Sequence, residues 1–488
     1  MSPQPGSAVR AYFSRNRETW VAVGLALLWA MVVRPGPLSL PYFWDEADVY
    51  APGARWLALH DLNPTPGHFP DDWSRGHPPL LYVVASLAFR LFGSGPTIGH
   101  ALIVPFTALA LAATYLLGKE RGGRMVGVCA AAMLATSPLF MSMGAFLLPE
   151  MPLTALTVLA LLLASRGQYV GAAVAGIALV WIKETGVGPP IAIAGGLFVE
   201  AWRQAQLRER WRPIAISLTP MLALAVFFVW QRLTAGYFVF PHHQNLFAER
   251  PFAIANVLTV FPSLFLWHGR WLFSAAGVVA IAVLARRPVW PASLKPDATL
   301  LAIAFLLLGN VVFFAKMFWL ERYALPVHPG VLVFLMLAIA EVTRLLPTRF
   351  VRPAALAPVV LAGALGVMSL HTPGEAAEHT FAFADVVASH REAYARIRTL
   401  HSDPLIVTTW PLTTELREPW LGFVNASMRS EHPDDLEDQT PDVVLIDPGS
   451  DRANELRTLA QTHHLTLRER IAVGSAPALE LWTRAASH

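Results

Sequence analysis

A single cysteine, Cys129, is all the chain carries in 488 residues. No intrachain disulfide and no cysteine-based metal centre can be built from it. Charge is scarce too. Asp, Glu, Lys and Arg make up 15% of the residues, against about 25% in soluble domains. No glycine-rich phosphate loop, internal repeat or low-complexity tract occurs, so neither a nucleotide nor a redox cofactor is expected. The net charge of +3 is small, and the arginines are spread over many short loops. A nucleic-acid partner would instead call for a concentrated basic patch.

What the chain has is apolar length. Hydrophobic residues make up 55% and the mean hydropathy is +0.46, which predicts a polytopic α-helical protein whose partner is the lipid bilayer. Eleven apolar runs are long enough, or nearly so, to span: about 19–39, 98–118, 125–146, 150–165, 168–182, 186–202, 213–232, 266–285, 299–318, 323–343 and 353–370. The pair 168–202 reads as two short spans rich in glycine and proline. Because Arg34 and three prolines follow the first run, it predicts an uncleaved span rather than a removable leader.

Charge sets the orientation. Arg10, Arg15, Arg17, Lys119, Arg121, Arg124, Arg166 and the clusters at 203–212, 286–295 and 344–352 amount to 17 basic residues, against 10 on the opposite side through residue 371. The richer side is expected to be cytoplasmic. The expectation is an integral plasma (inner) membrane protein with a cytoplasmic N-terminus. "HPPLLYVVASLAFRLFG" is short, carries Arg90 and would invert the later loops if it crossed. It predicts a helix lying in the outer interface, within a long first outer loop of about 40–97.

After Leu370 the composition changes. Residues 371–488 hold 18 acids and 10 bases with no spanning run. "ADVVASHREAYARIRTL" has helical periodicity, "LIVTTW" and "PDVVLID" read as strands, and "DRANELRTLAQTH" as a helix capped by Ser450 or Asp451. "LTLRERIAV" and "ALELWTR" predict closing strands. The domains expected are a membrane module, 1–370, and a small extracytoplasmic α/β domain, 371–488, that positions substrate.

With this topology the ionisable residues of the membrane part collect at one face. Asp45, Glu46, Asp48, Arg55, Arg75, His77, Glu150, Lys183, Glu184, His242, His243, Arg250, His268, Arg270, Lys316, Glu321, Arg322, Tyr323 and His328 all fall in outer loops. A transporter would place such groups along a path through the midplane. Acids mixed with Arg, Lys and His at one surface suit a reaction on a phosphate-bearing lipid. Asp48 is expected to pair with Arg55. Glu150, alone between two uncharged runs, reads either as a helix-start carboxylate or as a second acid for a divalent cation or an acceptor. With His77 and His243 it would form a nitrogen and oxygen donor set of the kind zinc accepts. Lys183 reads as an interfacial lysine paired to Glu184, and Arg322 with Tyr323 as an interfacial anchor.

"WDEADVYAPGARWL", "HPPLLY" with "LFG", "LLPEMPLT", "WIKETG", "FPHHQNLF" and "ERYALPVHP" occur in that order. The ordered set, over about residues 19–345, resembles the membrane-embedded GT-C glycosyltransferases of the protein O-mannosyltransferase and aminoarabinose-transferase type. The resemblance implies a polyprenyl-phosphate-linked sugar as donor and inverting transfer to a glycan, lipid or protein acceptor outside the cytoplasm. It implies Asp45 as the general base or acceptor-positioning carboxylate, with Glu46 in support and Glu150 facing the same cavity. It favours Lys183, Arg322 and Tyr323, helped by Arg55, on the donor phosphate. The chain departs from the pattern at Glu150 (often Asp), at His77 (Lys in aminoarabinose transferases) and at Leu246, where those enzymes carry Arg. The alternatives are a lipid or solute transporter, or an envelope assembly protein without glycosyl transfer.

Overall fold

The structure, a computed structural model, describes residues 17–33, 36–249, 252–317, 319–372, 377–400, 403–436 and 439–484. Arg10, Arg15 and Arg250 lie outside these residues.

A helix forms at each of the eleven apolar runs. Their lengths differ from the expectation. Among the described residues four are long and apolar enough to cross a membrane: Pro96–Gly122, Leu207–Ala235, Ala298–Lys316 and Thr348–Met368. Ile254–Phe265 and Arg270–Ala285, bent by 97° at the break between them, make a fifth if taken as one span. Glu150–Ser165 and His328–Thr343 are only 16 residues and Tyr169–Ile182 only 14. Sixteen residues rise about 24 Å, short of a hydrocarbon core of about 30 Å.

The run 125–146 is not one helix. Arg124–Ala135 stops at Thr136, and Pro138 at the first turn starts a separate helix, Pro138–Met143, the position at which the missing N–H of proline leaves no helical hydrogen bond unmade. The first loop also folds. A π-helical turn, Glu46–Tyr50, runs into Ala51–Leu59, and Leu80–Phe92 packs against it, as expected of a helix at "HPPLLY". Tyr82 and Phe69 close over Gly53, where an added Cβ would meet both rings at about 3 Å.

Small residues set the closest helix approaches, as is usual for helices packed in lipid. Gly196 on Gly188–Arg203 faces Ala298–Lys316 so tightly that a Cβ would sit 2.2 Å from the Ala298 carbonyl oxygen. Gly186, in the turn before that helix, would bring a Cβ to 2.3 Å from the Leu179 carbonyl oxygen. This turn folds back against the end of the helix before it, and only glycine fits there.

At one end of the bundle the basic residues expected on the cytoplasmic side gather with acids. Lys119 and Arg124 pair with Glu18 at 2.7 and 2.9 Å, Arg121 pairs with Asp297, and Arg166 with Glu120. The other end carries the first loop and the turns at 183–187, 236–243, 266–270 and 319–327.

The chain then forms Ala382–Leu400 and a five-stranded sheet from β1 (Ile406–Val407), β2 (Ser430–Glu431), β3 (Val443–Ile446), β4 (Thr466–Ile471) and β5 (Leu479–Thr483). The order is β2-β1-β3-β5-β4, parallel through β3 and antiparallel beyond. β3 is buried throughout, as its unbroken Val-Val-Leu-Ile run requires of a central strand. The N-cap of Ala453–Thr462 is Arg452, not Ser450 or Asp451; the Ser450 hydroxyl accepts from the Arg452 amide just ahead of the helix. This part docks on the first loop. The Tyr42 amide donates to the Leu421 carbonyl at 2.9 Å, Phe383 packs on Phe43 and Phe146, and Trp410 meets Trp44 edge-on at 5.0 Å.

Gly196→Val should force the Gly188–Arg203 and Ala298–Lys316 helices apart, at a cost of about 1–3 kcal/mol by overpacking. A lowered thermal midpoint in detergent checks this; an unchanged midpoint would mean that the contact is slack.

Candidate active site at the loop end of the bundle

Each side chain here is placed by a helix end. Glu150 is the first residue of Glu150–Ser165, which starts directly after Pro149, where the helix dipole favours an anion. Lys183 ends Tyr169–Ile182 in extended geometry (φ −158°, ψ 141°), and the chain re-forms as the turn Glu184–Val187. Residues on either side of such a break point in opposite directions, and the two charges part company. Arg322 and Tyr323 sit in the turn Glu321–Ala324, between Ala298–Lys316 and His328–Thr343.

These turns bring Asp45, Glu150, Lys183, Arg322 and Tyr323 together. The Arg322 guanidinium donates to Asp45 Oδ2, and its Nε lies 3.7 Å from Glu150 Oε1. Lys183 Nζ is 3.3 Å from the same Glu150 oxygen. The partner of Lys183 is thus Glu150 and not the adjacent Glu184. Both cations lie over the Tyr323 ring, Lys183 at 4.9 Å and Arg322 at 5.5 Å from its centroid, and Phe314 stacks on Tyr323 at 5.1 Å. Glu150 and Arg322 are buried, whereas the Asp45 side chain keeps 33% of its surface open. Of these carboxylates Asp45 is the most accessible to an incoming molecule.

Asp45 follows Trp44, which holds a left-handed backbone conformation (φ 56°). That geometry costs a bulky residue about 1–3 kcal/mol. The edge contact with Trp410 and the anchoring of Tyr42 hold it in place.

Three expected residues are elsewhere. Glu46 turns inward and is fully buried. Its Oε1 accepts from the Leu147 amide at 2.6 Å and lies 3.0 Å from His100 Nε2, while Oε2 accepts from the Phe43 amide at 3.3 Å. It fastens the loop rather than facing the cluster. Asp48 pairs with Arg75 at 3.0 Å, not with Arg55. The π-turn adds a residue per turn and rotates Asp48 away from the helix face that carries Arg55. Arg55 lies over the Trp420 ring at 4.8 Å.

His77 and His243 do meet, with ring centroids 5.1 Å apart, but the carboxylate that joins them is Glu184. His77 Nδ1 is 2.9 Å from Glu184 Oε2. One ligand atom from each of His77, Glu184 and His243 lies within 4.8 Å of the other two. Glu150 is engaged by Lys183 and Arg322 instead, which corrects the expected set. Burial opposes ionisation of Glu184, yet His77 and Lys183 hold its carboxyl down at about 2. Burial, with His77 beside it, pushes His243 down to about 4.

Sequence reading missed Glu378 and His379, on the segment between the last apolar helix and Ala382–Leu400. Arg322 Nη1 donates to Glu378 Oε1, and the Glu378 side chain is 1% exposed. Its Oε2 is buried with no hydrogen-bond partner among the described residues. Burial raises the Glu378 carboxyl more than Arg322 lowers it, to about 7. His379 Nδ1 lies 3.5 Å from Glu321 Oε2. Arg270 donates to Glu321 at 2.6 Å, and His268 lies 3.7 Å away. Burial would raise Glu321, but His268 and Arg270 outweigh it and hold the carboxyl at about 2.

Residues 76–230 match the family model of dolichyl-phosphate-mannose-protein mannosyltransferase. No curated protein matches the chain. Among solved structures, ArnT from Cupriavidus metallidurans bound to undecaprenyl phosphate aligns over 97% of this chain and 99% of its own, at 14% identity and a TM-score of 0.58. The apo form of that ArnT aligns over 96% and 98%, with the same identity and score. The Archaeoglobus fulgidus oligosaccharyltransferase in complex with Zn and sulfate aligns over 85% of this chain and 62% of its own, at 15% identity and a TM-score of 0.48. The coverage shared with ArnT shows one common fold that extends past residue 370. The resemblance to GT-C glycosyltransferases carried by the ordered motifs agrees with the fold shared with ArnT and, over residues 76–230, with the family match.

Because Glu378 binds its proton more tightly when folded than at its ordinary value of 4.5, its contribution to stability falls as pH rises from 4.5 towards 7. Glu378→Gln removes that titration. The variant's thermal midpoint should therefore gain on the wild type across this window and level off above it; a difference independent of pH would refute the assignment.

Proposed function

We propose that this chain is an inverting GT-C glycosyltransferase that moves a sugar from a polyprenyl-phosphate donor to an acceptor hydroxyl at the extracytoplasmic face of the plasma membrane. The observation that carries the reading is the Asp45–Arg322–Glu150–Lys183 cluster. Four ionisable residues, 277 positions apart at the extremes, are linked through Arg322 and Glu150, and one of them, Asp45, is partly open. The undecaprenyl phosphate bound to ArnT, which shares the fold, supports a polyprenyl phosphate as the lipid. The ion pairs gather at a bundle end, which favours surface chemistry over a transport path.

In this reading the acceptor oxygen attacks the anomeric carbon and gives up its proton to Asp45. The bond from that carbon to the phosphate oxygen breaks, and its electron pair leaves on the polyprenyl phosphate. Arg322 orients Asp45 and, with Lys183, meets the charge that develops on the leaving group. Tyr323 holds the two cations side by side. Glu150 keeps Lys183 and Arg322 in register, Glu46 fixes the loop, and Arg55 serves the junction with the C-terminal part. The bias of 17 basic residues to 10 in the sequence supports a cytoplasmic location for the end that carries Lys119, Arg121, Arg124 and Arg166, and for the N-terminus. Residues 1–370 are the catalytic membrane module and 371–488 a separate extracytoplasmic domain.

His77, Glu184 and His243 would hold a divalent ion such as zinc. Two imidazoles and one carboxylate suit that metal and leave a position open for an oxygen ligand. The ion would supply a Lewis acid beside the cluster.

Asp45→Asn should reduce transfer from a panel of radiolabelled polyprenyl-phosphate sugars by about 10²–10⁴-fold, the usual worth of a general base, with expression intact. Undiminished turnover would overturn the assignment. For the metal, elemental analysis of the purified protein should find zinc that His77→Ala and His243→Ala each deplete; equal metal content in all three would remove it from the scheme.

A further inference from the structure

Arg322 is the most heavily engaged cation at the site, and one of its partners comes from beyond the membrane helices. Two cations, Arg322 and Lys183, face three carboxylates, Asp45, Glu150 and Glu378. An incoming donor phosphodiester adds one more negative charge. The departing polyprenyl phosphate is a monoester, whose second ionisation near pH 6 takes it to about −1.5 to −2 at neutral pH. It therefore binds the same cations more tightly than the donor does. The enzyme needs a group that reclaims Arg322.

Glu378 is placed for this. Its side chain is buried, Oε1 holds Arg322 Nη1, and Oε2 lies without a hydrogen-bond partner among the described residues. Its backbone is fixed separately. The Ser142 hydroxyl donates to the Glu378 carbonyl and lies 3.2 Å from that of Thr380, which clips the segment to Pro138–Met143. The charged and titratable groups facing Glu378 are Arg322, Asp45, Glu150 and His379, with His379 Nε2 3.7 Å from Oε1. Arg322 can thus exchange Glu378 for a phosphate without the segment coming away.

We propose that Glu378 is a positioning residue that shares Arg322 with the polyprenyl phosphate and takes the guanidinium back when that product leaves, so that it sets the rate of product release. Glu378 makes and breaks no covalent bond. The inference rests on the glycosyltransferase reading above.

The test uses the full-length protein in detergent and undecaprenyl phosphate alone as the probe. At about pH 8.5, where Glu378 is ionised, wild type should bind it, and Glu378→Gln should bind it about tenfold more tightly, the effect of removing a competing charge. Glu378→Asp should return towards the wild-type value. In turnover, Glu378→Gln should lower donor KM and kcat together, which general damage to the fold would not do. Ser142→Ala, which frees the segment without changing any charge, should tighten binding in the same direction and serves if Glu378→Gln does not fold. Wild-type binding that neither variant tightens would overturn the inference and leave the glycosyltransferase reading standing. Failure of the wild type to bind the lipid would overturn both.

Discussion

One guanidinium organises the loop end of this molecule. Arg322 is buried, and a buried charge is tolerated only when it is paired and hydrogen-bonded. Its partners come from the first loop, from the start of the helix at Glu150 and from the segment after the last apolar helix. Those three parts must be in place for Arg322 to be accommodated at all. The ion cluster therefore constrains the architecture as much as it offers chemistry, and the short helices follow from the same demand. Glu150–Ser165 starts at Glu150, Tyr169–Ile182 stops at Lys183, and His328–Thr343 starts after the turn that holds Arg322. A longer helix would carry Glu150, Lys183 or Arg322 past the point where they meet.

The two adjacent charges Lys183 and Glu184 show how one turn serves two sites. Lys183 ends a helix in extended geometry and joins Glu150 and Tyr323. Glu184 opens the next turn and joins His77 and His243. Gly186 permits the turn to fold against the preceding helix, so both sites depend on a residue with no side chain of its own.

Asp45, Glu150, Lys183 and Arg322 were legible in the sequence because each interrupts or borders an apolar run, where a charge must be explained, and because their motifs keep a fixed order. The helices were legible from the same runs, though a break such as Thr136–Pro138 inside continuous hydrophobicity was not. Partnerships were harder. Asp48 and Arg55 are spaced as one helix face would have them, and a π-turn between them rotates that face. Lys183 and Glu184 are neighbours in sequence and were expected to pair, yet the backbone break sends them apart. Glu378 left no signal. It stands in a stretch rich in acids, where a single glutamate reads as solvated, and its burial is decided by tertiary contacts with Ser142 and Arg322. The closing strands and helices of the C-terminal part followed their periodicity, whereas the docking of Trp410 and Leu421 on the first loop has no local pattern.

The order of the chain makes Glu378 the last of the Arg322 partners to be synthesised. Asp45, Glu150 and Arg322 are all synthesised before residue 378, so a nascent chain that has released every apolar helix still holds an arginine with one arm unmatched. The constellation closes only when the segment after Thr348–Met368 reaches Ser142. A chain assembled in this order completes the pairing of Arg322 only after about three quarters of its residues have been made.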